Sequence, residues 1–183
     1  GWDPRTRAVQ NAVDDVIATQ GLSSPLERPT AFFEDELDWI SGHGYRHVDS
    51  YLAAERVGRL EPLQRGQRQR VWQVREAYHA RRAALGRRYD WWDLPSAMRD
   101  ALAEDDSSRM YRHVVIDEAQ DLTSLSVGML HALVGDRQDG LTLIGDGQQS
   151  IYPGGYTLSE VGISLAGRGV AVDLHVTAQH GVL

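Results

Sequence analysis

The stretch "YRHVVIDEAQDLTSLSVGMLHALVGDRQDGLTLIGDGQQSIYPGG", residues 111–155, decides the fold. "HVVI" is a short apolar, β-branched run that stops at the acidic pair Asp117-Glu118. "LTSLSVGMLHALV" repeats its apolar residues at helical spacing, and "LTLIG" is a second apolar run that stops at Asp146. Two strands separated by one helix predict a βαβ unit, and such a connection implies parallel strands. Ligands of open parallel sheets gather at the carboxyl ends of the strands, where side chains leave the core. Asp117, Glu118 and Asp146 are therefore the first candidates for chemistry. An acid placed there suits a hydrated magnesium ion, and its neighbour can orient or deprotonate an attacking water. The structural alternative is that Asp117 and Asp121 cap the following helix.

Downstream, "TLSEVGISLAG" reads as a helix and "VAVDLHV" as a third strand. Upstream, the chain reads as helices. Asp3-Pro4 is a cap followed by a first-turn proline, and Ala8, Val9, Ala12, Val13, Val16 and Ile17 recur at helical spacing until Gly21. "TAFFEDELDWISGHG" is a second helix, with Thr30 as its cap, Phe33, Leu37 and Ile40 on one face and Gly42 at its end. "VDSYLAAERVG" is a short third helix. The longest helical pattern runs from Leu63 to Leu85, with Val71, Val74 and Tyr78 on one stripe, and "DWWDLPSAMRDALAED" forms one more helix with Pro95 in its first turn.

The expected fold class is thus α/β: a mainly helical region over residues 1–108, followed over 109–183 by a small unit with a parallel sheet. A chain of 183 residues with 42% hydrophobic residues can build a genuine core. It has no cysteine, which excludes disulfides and thiolate metal sites. No apolar run approaches the roughly 18 residues that a membrane span needs, and the first residues lack a signal-peptide pattern. The expectation is a soluble, cytoplasmic protein without a membrane partner. His43 and His47 have the spacing of a helical metal pair, but Gly42 and Gly44 break any helix that would align them, so a surface turn is expected.

The net charge of -7 argues against coating nucleic acid by bulk electrostatics. The average hides a segment, Glu55 to Arg88, with ten arginines against three glutamates, which carries +7 and leaves -14 elsewhere. Its arginines, with Arg68, Arg70 and Arg75 as the test set, are candidates for tracking a phosphate backbone, with Trp72, Tyr78 and Trp91-Trp92 as stacking surfaces. The alternative is a solvated helix face, with Trp72 in the core.

"VVIDEAQDLT" followed by "LIGDGQQSIYPGG" closely resembles motifs II and III of the UvrD/Rep-type superfamily 1 DNA helicases. "FFEDELDWISGHG", "SYLAAERVGR", "LQRGQRQRVWQVREAY" and "YDWWDLP" are similar, more weakly, to the helical region that precedes motif II in actinobacterial-type members. The resemblance implies an internal slice of a motor: the 1B-like helical insertion and part of a RecA-like P-loop NTPase domain. It implies ATP and Mg2+ as cofactors, single-stranded or partly duplex DNA as partner, and the remainder of the helicase as the other partner, in a protein of DNA repair type. By the same resemblance, Asp117 holds magnesium, Glu118 activates water, Gln120 connects the nucleotide state to motif III, Gln149 senses the γ-phosphate and Asp146 joins that network.

The family grips phosphate with a glycine-rich loop whose lysine reaches the β/γ-phosphates. All 19 basic residues here are arginine, so no residue of the chain can fill that role. The isolated chain is expected to be a very poor ATPase, and its Gly1 start suggests an excerpted or trimmed sequence. Where the family continues into an Asn-Tyr-Arg motif, Thr177, Ala178 and Gln179 stand instead, which suggests a frameshift or early stop. Gly154 and Gly155 occupy the positions of motif III's aromatic and arginine, leaving Tyr156 as a replacement platform for a DNA base, or as an ordinary packed residue. The rival reading of the whole chain is a non-enzymatic, degenerate helicase fragment acting as a nucleic-acid-binding or protein-interaction module.

Overall fold

A computed structural model of the chain describes residues 3–56, 59, 61–87, 89–105, 111–135 and 139–145. The described elements are α1 (Pro4–Gln20), α2 (Thr30–Gly42), α3 (Val48–Ala53), α4 (Arg65–Ala84), α5 (Leu94–Glu104), β1 (Val114–Ile116), α6 (Ser124–Ala132) and β2 (Leu141–Leu143). The helix expected over "TLSEVGISLAG" and the strand expected over "VAVDLHV" lie outside the described residues.

The helical region forms around the stripes visible in the sequence. Val9, Ala12, Val13 and Val16 of α1 meet Phe33, Leu37 and Ile40 of α2 and Val71, Trp72, Val74 and Tyr78 of α4 in one core. Removing each such side chain from water contributes about 1.5–3 kcal/mol, the main force ordering these helices. α1 begins with Pro4, whose missing N–H falls where a helix has no partner for it, and stops at Gly21 with φ 79. Thr30 does not cap α2. The cap is Pro29, and the Thr30 hydroxyl instead pairs with the Gln10 side chain of α1.

Two other boundaries differ from expectation for identifiable reasons. α3 stops at Ala53 because Arg68 of α4 supplies the donors its last turn lacks: Nη1 donates to the carbonyls of Tyr51, Leu52 and Ala54 at 3.2, 3.1 and 2.8 Å. The helix expected over "DWWDLPSAMRDALAED" is split into a 3-10 turn, Trp91–Asp93, and α5, with Pro95 in the first turn of α5. Asp90 sets that turn, accepting from Trp91 N at 2.5 Å while Asp90 N donates to Asp93 Oδ2 at 3.1 Å.

The predicted βαβ unit is present. β1 and β2 pair in parallel, with Val114 opposite Leu141, Val115 opposite Thr142 and Ile116 opposite Leu143. α6 connects them and buries Leu125 and Val127. It also packs against α5 and the end of α2. The approach at α2 is close: a Cβ on Gly42 would stand 3.1 Å from Thr123 Cγ2, and one on Gly44, whose φ is 70, would stand 3.3 Å from Leu125 Cδ1.

Candidate functional site

At the carboxyl end of β1 the chain turns sharply and clasps the end of β2. Ile144 N donates to Ile116 O at 2.8 Å, and Ala119 N donates to Ile144 O at 2.9 Å. Asp117 and Glu118 lie between these two bonds, outside the ladder, and both side chains are exposed. Glu118 has left-handed backbone angles, φ 51 and ψ 42, a conformation that disfavours a non-glycine residue by about 1 kcal/mol. Such local cost concentrates at functional sites. Asp117 Oδ1 accepts from Glu118 N at 2.9 Å and so stabilises the turn. Ala119–Asp121 then form one 3-10 turn, with Asp121 N donating to Glu118 O at 2.9 Å.

The capping alternative for the acids has another owner. Thr123 is the N-cap of α6, its Oγ1 accepting from Ser126 N at 3.2 Å. Gln120 turns back toward the acidic pair, and its Nε2 donates to Glu118 Oε2 at 2.5 Å. Gly145 closes the arrangement from β2, since a Cβ there would lie 2.4 Å from Gln120 Oε1 and 3.1 Å from Ala119 N. Gly145 is a site residue that motif and spacing do not single out; its one sequence signal is that a glycine in or beside a strand marks close backbone approach.

Asp117, Glu118 and Gln120 are thus brought together within one turn; Asp146, Gln149 and Tyr156 lie outside the described residues. Among the described residues no group of three or more His, Asp or Glu side chains is placed to hold a metal ion. A single exposed carboxylate nevertheless fits a magnesium ion that keeps most of its waters, because Mg2+ takes one or two protein carboxylates in phosphate sites. His43 packs 4.4 Å from Trp39 and accompanies Tyr45 in a ring stack at the end of α2.

Five arginines of α4 engage the protein's own groups, while Arg65 is exposed. Besides bonding to the three carbonyls of α3, Arg68 donates from Nε to Leu63 O at 3.2 Å. Arg70 Nη1 donates to Ser24 O at 3.1 Å. Arg75 lies over the Trp72 ring at 4.6 Å, and burial holds its pKa below the ordinary arginine value. Arg81 makes a two-pronged pair with Asp15, at 2.5 and 2.6 Å, and Arg82 reaches Asp93 at 2.6 Å. Arg56 and Arg59 both bind Glu36, which is fully buried. Within the positive segment, Arg56, Arg59, Arg81 and Arg82 are therefore paired with acids of α1, α2 and the 3-10 turn before α5, whereas Arg68, Arg70 and Arg75 are engaged with carbonyls and a ring. Trp72 stacks on Tyr51 at 6.0 Å inside the core rather than offering a free ring, and Tyr78 is buried, whereas Trp91 is 76% exposed.

A parallel βαβ unit with an exposed acidic tip is the frame on which nucleotide-hydrolysing proteins build one wall of their site. The family model of the UvrD/REP helicase N-terminal domain matches residues 40–160, more than half of the chain. The chain belongs to the UvrD/Rep helicase family. It is similar to the ATP-dependent DNA helicase UvrD2 of Mycobacterium bovis and to that of Mycobacterium tuberculosis, 32% identical over 145 residues in each case. That alignment covers 75% of this chain and 20% of each relative, so the chain spans about a fifth of the length of the relatives it matches. No solved structure gives a significant match. Among the described residues, no helix is long and apolar enough to cross a membrane.

Proposed function

We propose that this chain supplies one wall of the ATP site of a DNA helicase or translocase, coupling hydrolysis of Mg-ATP to movement on single-stranded DNA. In this reading residues 1–108 are an accessory helical region and residues 109–183 part of a RecA-like domain. The observation that carries it is the exposure of Asp117 and Glu118 together at the carboxyl end of β1, in a chain of the UvrD/Rep family. Bound Mg2+ and ATP would supply the electrophilic γ-phosphorus and charge neutralisation during its transfer to water.

The chain's own residues divide the remaining work. Asp117 offers the hard oxygen donor suited to magnesium. Glu118 accepts a proton from, or orients, the attacking water, and the Gln120 carboxamide steadies its carboxylate. Asp146 and Gln149 are assigned to the same network by family resemblance, and Tyr156 to a base-stacking role. The phosphate grip is not contributed by this sequence, which has no lysine. Direct phosphate contact by Arg68, Arg70 and Arg75 would require them to leave their present partners, main-chain carbonyls for Arg68 and Arg70 and the Trp72 ring for Arg75.

The test is a titration of the 15N-labelled chain with Mg-ATP, followed at the backbone amides. Responses centred on Asp117, Glu118 and Ala119 that vanish in Asp117→Asn are expected. Binding of single-stranded DNA with no response at Asp117 to Mg-ATP would favour a non-enzymatic nucleic-acid module instead. DNA-stimulated phosphate release is expected to stay near background; robust turnover abolished by Glu118→Gln would show that the chain is a complete enzyme.

A further inference from the structure

Beside the main-chain bonds that clasp the two strand ends, one side chain lies between them. Gln120 leaves the 3-10 turn after β1 with both ends of its carboxamide occupied in space: Nε2 bonds to Glu118 Oε2 at 2.5 Å, while Oε1 rests where a side chain on Gly145 would begin. The 2.4 Å separation between that Oε1 and a Cβ built on Gly145 is far inside van der Waals contact, so the two cannot coexist. Gln120 Oε1 is the far end of a flexible side chain, whereas Ala119 N, at 3.1 Å from the same Cβ, is main chain held by Ile144 O. A methyl group at position 145 would therefore displace the carboxamide before it displaced the turn.

We propose that Gly145 is a positioning residue for Glu118: its missing side chain is the seat of the Gln120 carboxamide, and that carboxamide fixes the Glu118 carboxylate at the tip of β1. The left-handed backbone of Glu118 sets where its carboxylate starts, and the bond from Gln120 sets where it ends. Gly145 belongs to β2's end and Glu118 to β1's, so the room left at the end of one strand sets where a side chain at the end of the other is held. The proposal rests on the reading of Glu118 as the residue that handles water.

The experiment measures hydrogen exchange of the Gln120 side-chain amide by NMR in the full chain, without nucleotide. Exchange in Gly145→Ala should accelerate about tenfold or more, the size expected for losing a bond to a charged acceptor, and should match exchange in Glu118→Ala. The amide of Val114, bonded to Gly140 O in the sheet, should keep its protection and so report an intact fold. Unchanged Gln120 exchange in Gly145→Ala would overturn the proposal, as would a loss confined to global stability. Should Gly145→Ala fail to fold, Gly145→Ala/Gln120→Ala decides: recovery of the fold supports the seat, and continued failure places the clash on Ala119 and refutes it. The Mg-ATP titration on the unaltered chain is read separately, so absence of a nucleotide response with the Gln120 signature present would sink the water-handling reading alone.

Discussion

Arg56 Nη2 lies 2.6 Å from Glu36 Oε2 at a position where the glutamate is completely shielded from solvent. Tyr51 donates to the other oxygen at 2.8 Å and Arg59 adds a bond at 2.7 Å, so one carboxylate joins α2, α3 and the segment before α4. Removing one member of such a buried set leaves uncompensated charge. Glu36→Gln is expected to lower unfolding free energy by about 3 kcal/mol, measured by urea denaturation. A loss below about 1 kcal/mol would mean that Arg56 and Arg59 find water instead.

Stability should fall on the acid side for two reasons with the same sign. Burial pushes the Glu36 pKa up, but bonds from Arg56 and Tyr51 and the charges of Arg56 and Arg59 together outweigh it and hold the value below the ordinary one. Its contribution is present above the ordinary glutamate range and is lost as pH falls through the lowered value. His79 is pushed down to about 4, first by burial and then by Arg75 and Arg82. The unfolded chain takes up that proton near pH 6.5, so stability declines as pH falls from about 6.5 toward 4. His79→Gln should flatten the profile in that window; an identical slope in the variant refutes the assignment.

Arg68 is expected to behave as a structural clamp. Arg68→Ala removes donors from the carbonyls of Tyr51, Leu52, Ala54 and Leu63 and should cost about 2 kcal/mol of stability. Arg68→Lys should recover little, because a point charge cannot serve Leu63 and α3 together. Thermal unfolding of both variants checks this.

The left-handed backbone of Glu118 makes a comparison available that does not depend on activity. Glu118→Gly and Glu118→Ala both delete the carboxylate and its bond to Gln120, but only glycine adopts φ 51 freely. The glycine variant should be the more stable by about 1 kcal/mol. Equal stabilities would indicate that the turn relaxes when the carboxylate is removed.

Gly42 and Thr123 should be energetically coupled. A methyl at position 42 meets Thr123 Cγ2 at 3.1 Å, and Thr123→Ser removes that atom while retaining the capping hydroxyl. The effect of Gly42→Ala is therefore expected to be more favourable in the Thr123→Ser background than in the native chain, by about 0.5 kcal/mol or more. Additive effects in the double-mutant cycle would count against close packing of α2 on α6.

The parts legible in the sequence were those governed by periodicity. Phe33, Leu37 and Ile40 mark the inner face of α2 because an apolar stripe at helical spacing has one place to go. The parallel pairing of Val114–Ile116 with Leu141–Leu143 follows from a helix between two apolar runs. The destinations of the arginines were not legible, since spacing assigns Arg68 and Arg81 to a helix face but says nothing of the carbonyls of α3 or of Asp15. Thr30 shows a similar limit: a cap-forming residue found a tertiary partner in Gln10. At the acidic turn, residue types marked Asp117 and Glu118, whereas the φ of Glu118 and the room required at Gly145 depend on how two strand ends meet.

The local engagement of most α4 arginines has a consequence for how a polyanion meets this protein. Arg81 and Arg82 are neutralised by Asp15 and Asp93, Arg68 and Arg70 are held by main-chain carbonyls, and the chain as a whole carries a charge of -7, so its long-range field repels rather than recruits. If the chain meets nucleic acid as proposed, attraction must arise at short range, and the rate of first encounter should rise with added salt, the reverse of what an arginine-rich helix read in isolation implies.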